Sequence, residues 1–109
     1  MLYEVLHYTV HPGKMEALKA RFGEITMKYF ERHGIRPVGF FTNTVGGRSD
    51  EFTYILQWDD MTHRERSWGA FTRDEEWIAA RLATEVDGPL VHHLENRFMT
   101  ATDYSPMLK

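Results

Sequence analysis

The sequence predicts an α+β domain of order β-α-β-β-α-β, a four-stranded antiparallel sheet with helices on one face. Three observations predict it. Phe52, Tyr54, Leu56 and Trp58 recur at period two against Thr53, Ile55, Gln57 and Asp59, and this strand runs straight into a helical pattern containing Trp68 and Trp77. Met15, Leu18, Phe22, Ile25 and Tyr29 step by three and four, the stripe of an amphipathic helix. Runs rich in β-branched and aromatic residues open the chain at Leu2–Val10 and close it at Leu90–Thr100. The order is that of the ferredoxin-like plan.

Each element has a local cause. In strand 1, Glu4, Leu6 and Tyr8 share one face, and Tyr3, Val5, His7 and Thr9 the other. Pro12 and Gly13 end it. Helix 1 is expected over Lys14–His33, with Gly34 as a left-handed cap behind the cations Arg32 and His33. Strand 2 is expected over Pro37–Val45, and Gly46–Asp50 is the loop into strand 3. Thr62 and Glu65 fit a capping box for helix 2, which should break near Thr72–Asp74 and restart under Asp74, or under Thr72 with Glu75, as far as Thr84. Asp87-Gly88-Pro89 precedes strand 4, so residues 1–100 form the domain and 101–109 a tail.

The 109 residues are long enough for one core, with 42% hydrophobic and 14% aromatic residues. A net charge of −3 and no basic block argue against nucleic acid and anionic membrane surfaces. No apolar run reaches the roughly 20 residues of a membrane span, and no leader pattern precedes strand 1, so the expected compartment is the cytoplasm. With no cysteine there is no disulfide, thiolate nucleophile or thiolate metal site.

Two helices cover one sheet face only. The other is expected to carry Phe40, Tyr54 and Trp58, too apolar to stay in water on a monomer. The expected solution is a homodimer with a cavity between the two sheets. An RNA-reading sheet of this topology would set its aromatics among basic residues, and strands 1 and 3 contain no lysine or arginine.

Leu2-Tyr3-Glu4 through Pro12-Gly13-Lys14, Trp58-Asp59 followed by Arg64-Glu65-Arg66, Asp74 to Trp77, Glu95-Asn96-Arg97 and Ser105-Pro106 together resemble the NIPSNAP family over nearly the whole chain. The resemblance implies a ferredoxin-like protomer in a dimeric α/β barrel and brings no established reaction. Members often carry a basic residue where Leu6 stands and an acidic one where Thr44 stands. Both positions are expected to face the cavity, making this one less polar.

Glu4, Glu95 and Arg97, on neighbouring strands, are candidates to anchor a polar ligand group or act as acid and base; a Glu–Arg pair that only stabilises the fold is the plainer reading. Tyr8, Phe40, Tyr54 and Trp58 are candidates for an aromatic lining around a flat ligand, and plain core packing explains them equally well. Of the six histidines, His92 and His93 should point to opposite faces and share no ion, and His33 and His63 sit at helix ends. His7, in mid-strand, is the one with a potential site role. No metal or cofactor is expected. Three functions remain: a dimer that binds a small apolar or aromatic molecule, a cofactor-independent oxygenase or isomerase acting on a flat substrate, and a purely structural dimer.

Overall fold

The computed structural model describes residues 1–106, and the last three residues of the expected tail lie outside them. The elements are β1 (Leu2–Val10), α1 (Met15–Arg21), a π-turn (Phe22–Thr26), α2 (Met27–Arg32), β2 (Arg36–Thr42), β3 (Glu51–Trp58), α3 (Met61–Arg73), α4 (Glu75–Ala83) and β4 (Val91–Thr100). The sheet has the order β2-β3-β1-β4 with every pair antiparallel, the ferredoxin-like α+β arrangement. β1 is central, as its mixed apolar faces require. β2 stops at Thr42, short of the expected Val45.

Register settles the faces. Leu6 opposes Tyr54, Tyr8 opposes Phe52, and Phe40 opposes Tyr54, so these side chains share one face. They are packed under the helices, with Tyr54 and Trp58 at 1% and 0% exposure. The expectation that Phe40, Tyr54 and Trp58 line an uncovered face is therefore corrected. Period two gives two sets of residues but does not say which set the helices cover. The open face instead carries Val5, His7, Thr53, Ile55 and Gln57, all partly exposed, with Phe41 and Met99 at its flanks.

Phe22 is the hub of the core. Its ring lies 5.0 Å from Phe52 and from Tyr54, 5.3 Å from Phe40, 6.2 Å from Tyr8 and 6.3 Å from Phe30. The first helix is not uniform. The π-turn makes Leu18, Phe22, Thr26 and Phe30 the buried series, spaced by four, and leaves Ile25 only half-buried. A residue step of four is wider than the α-helical 3.6. Gly34 follows α2 at φ +70°, the left-handed cap expected there.

The second helical stretch starts earlier than expected. Asp60, not Thr62, is the cap and accepts from the His63 N–H at 2.8 Å. His63 then joins elements: its Nδ1 accepts from Asp59 N–H and its Nε2 donates to the Gly34 carbonyl. The break at Asp74 is as expected, because its carboxylate accepts from the N–H groups of Glu76 and Trp77. It also accepts from His33 Nε2 at 2.7 Å and from Arg32 at 3.1 Å. The His33 bond is the largest of the contacts that hold the Asp74 pKa at about 2.

That depression carries a sign. The stabilisation is fully present above the unfolded value near 3.8 and is lost as pH falls through about 2. Acid titration followed by circular dichroism should show this loss between about pH 4 and pH 2. Asp74→Asn, which keeps a cap acceptor without the charge, should flatten the slope. Equal slopes in the two proteins would contradict the assignment.

Candidate functional site

The sequence candidates separate into three places. Glu4 is fully buried on the helix-facing side. Its Oε1 accepts from Trp58 Nε1 at 3.1 Å and Arg64 Nε at 3.3 Å, and its Oε2 from Arg64 Nη2 at 3.2 Å and Asn96 Nδ2 at 2.9 Å. Four donors satisfy the carboxylate, so the network reads as structural. Arg97, expected as the partner of Glu4, opposes Val5, and Glu95 opposes His7. Both lie on the open face beside a recess of about 430 Å³ that His7 also lines. Glu4 and Arg97 do not meet because they differ by one residue in strand parity. His7 is held there by Glu51 at 2.7 Å and Thr53 at 2.9 Å.

Phe40 lines a separate apolar recess of about 300 Å³ with Phe22, Met27 and Phe52. Leu6 is buried in the core and Thr44 lies exposed in the loop after β2, so neither is placed as expected at a cavity between two sheets.

Tyr8 and Tyr54 meet in a third place, a cavity of about 460 Å³ between the helices and the sheet. Their hydroxyls are 2.6 Å apart and their rings pack edge to face at 5.2 Å. Burial pushes the pKa of both phenols up, that of Tyr54 well above its usual value, so both stay neutral. Trp68, Phe71 and Trp77 form the aromatic wall, with Phe71 stacked on Trp77 at 4.7 Å.

The polar wall comes from the first helix. Arg21, 7% exposed, donates through Nη1 to Glu85 at 2.9 Å and to Thr84 at 3.3 Å. Its Nε and the Thr26 hydroxyl have no hydrogen-bond partner among the described residues. Buried polar atoms without partners are uncommon, since each forfeits its bonds to water. Here the two belong to residues that line the same cavity. The cleft thus combines aromatic walls with a few convergent polar residues.

At the mouth, His92 and His93 depart from expectation. The β1–β4 register shifts between Thr9 and Val10, and the bulge breaks the strand alternation there. The two Nδ1 atoms consequently lie 2.8 Å apart, and the His92 ring packs 5.1 Å from that of His11. Among the described residues no group of three or more potential ligands is arranged to hold a metal ion.

Sequence reasoning missed Arg21, Thr26, Trp68, Phe71 and Trp77. Arg21 and Thr26 lie beside the apolar stripe rather than on it, and only the π-turn brings them to the cavity. The spacing of Leu18, Phe22, Thr26 and Phe30 by four was the available signal.

Comparison with curated proteins finds no match. Solved structures do match. An uncharacterized NIPSNAP domain protein from Burkholderia xenovorans is 25% identical, with a TM-score of 0.81 over 97% of this chain and 99% of that one. A NIPSNAP family protein from Agrobacterium tumefaciens is 26% identical, with a TM-score of 0.81 over 97% of each chain. SnoaB from Streptomyces nogalater, a cofactor-independent oxygenase, is 19% identical with a TM-score of 0.64 over 96% of each chain, a likeness of fold alone. The family model for NIPSNAP matches residues 3–106, and the chain belongs to the NIPSNAP family.

Proposed function

We propose that this chain binds a small, flat, largely apolar molecule in the cavity between its helices and its sheet, and that it works as a homodimer. The observation that carries the binding reading is the pairing of an aromatic wall with buried, unpartnered polar atoms in one cleft of about 460 Å³. A core meant only to pack would satisfy those atoms. Native mass spectrometry of the purified protein, under conditions that keep subunits together, should reveal a co-purified small molecule released on denaturation. Protein that carries none, and binds nothing from an aromatic library, would refute the reading.

Support for the dimer comes from the open sheet face and the β4 edge. Val5 and Ile55 are partly exposed there, Phe41 and Met99 are exposed at 52% and 40%, and Leu94 and Phe98 are exposed on β4. An apolar surface of this kind is usually covered by a partner. Sedimentation at low micromolar concentration should give twice the chain mass of 12.9 kDa. A single 12.9 kDa species would overturn the dimer.

One observation favours a second reading, cofactor-independent oxygenation or isomerisation of a flat substrate. The paired phenols and the Arg21 guanidinium are donors that would stabilise an oxyanion formed by proton removal. SnoaB is described as such an oxygenase, and the shared fold adds only analogy. Oxygen uptake with hydroxylated polycyclic substrates separates this reading from plain binding.

A further inference from the structure

The residues lining the helix–sheet cavity include donors that have no acceptor among the described residues. A guanidinium has no acceptor, and Arg21 uses Nη1 on Thr84 and Glu85 while Nε has no partner among the described residues. The Thr26 hydroxyl is likewise without one. In the Tyr8–Tyr54 pair one hydroxyl donates to the other, so one O–H proton is always left over. The one carboxylate among the lining residues, Glu85, is engaged by Arg21 and Arg81. A ligand that satisfies Arg21 Nε must therefore accept a hydrogen bond.

The backbone brings two of these donors together. At about 100° per residue, positions five apart on an α-helix sit roughly 140° apart around the axis. Arg21 and Thr26 are five apart and would diverge on a regular helix. The π-turn over Phe22–Thr26 tightens that angle by pairing i with i+5, and both residues end up on the cavity wall. Such turns are uncommon and frequently mark functional sites.

Resting on the reading that this cavity binds a small molecule, we propose that its ligand is a flat aromatic carboxylate. The carboxylate accepts from Arg21 Nε and the Thr26 hydroxyl, and the ring lies between Tyr54 and the Trp68–Phe71 wall. A planar guanidinium edge matches a carboxylate better than any other neutral or charged donor in the site. Both donor atoms lie just behind the cavity wall in the free chain, so the Arg21 and Thr26 side chains must rotate to present them to the carboxylate.

The test uses the full chain and two isosteric probes, 2-naphthoate and 2-naphthamide, titrated by calorimetry. Naphthoate should bind about tenfold tighter or better, the scale of one charge-assisted hydrogen bond. Arg21→Gln and Thr26→Val should each reduce naphthoate affinity to the level of naphthamide. Arg21→Gln also removes the partner of Glu85 and risks the fold; Thr26→Val does not. It deletes a hydroxyl with no partner, so the unliganded Thr26→Val protein should melt a few degrees higher even as it loses affinity. Equal binding of the two probes by the native chain would overturn the carboxylate while leaving the cavity reading intact. A naphthoate preference that survives both substitutions would overturn the assignment to these residues. Binding of neither probe up to millimolar concentration would overturn the inference and the cavity reading together.

Discussion

Phe22→Ala should lower the stability of the folded chain by about 3–5 kcal/mol, the range for truncating a buried aromatic. Phe22 is 7% exposed and packs against five other rings from α2 and three strands. Removing it deletes transfer free energy and also opens a cavity that two helical turns and a rigid sheet cannot collapse into. It would join the recess lined by Phe40 and Phe52 to the core. Urea denaturation measures the loss. A cost below about 1 kcal/mol would mean that the hub role is misassigned.

Glu4→Gln should cost about 3 kcal/mol, near the lower end of the values for breaking a buried ion pair. The carboxylate accepts from Trp58, Arg64 and Asn96 with all its capacity. A glutamine turns one acceptor oxygen into a donor that faces donors. The cost stays at the lower end because the Arg64 side chain is 17% exposed and keeps its bond to Glu65. Since Glu4 is not on the wall of the helix–sheet cavity, ligand affinity should be unchanged. Unchanged stability with lost affinity would place the site at Glu4 instead.

The strands were legible because β3 alternates and β1 is rich in β-branched and aromatic residues, and so were the Asp74 break and the Gly34 cap, each set by a residue next to the event it causes. The covered face was not legible. Both sides of β1 hold bulky residues, with Tyr3 and Val5 against Leu6 and Tyr8, and the single charge in mid-strand, Glu4, sits on the buried side. Charge on a strand ordinarily marks solvent; here Arg64, arriving from a helix 60 positions away, reverses that. Of the candidate site, two residues were legible but were expected on the other, uncovered face. Tyr8 and Tyr54 were visible as an aromatic pair on neighbouring strands. Arg21 and Thr26 were not, since an α-helical period puts them on different sides and only the π-turn reconciles them. The meeting of His92 with His93 depends on a bulge that no turn residue announces.

The three tryptophans allow the central claim to be tested in one spectrum. Trp68 and Trp77 line the helix–sheet cavity, whereas Trp58 is sealed with its indole N–H on Glu4. Each indole N–H gives its own signal in a ¹⁵N-correlated spectrum. On titration with 2-naphthoate, the Trp68 and Trp77 signals should move together in a saturable way while that of Trp58 stays in place. Still tryptophan signals, with shifts confined to Val5, His7, Glu95 and Arg97 on the open face, would place binding there and contradict the account.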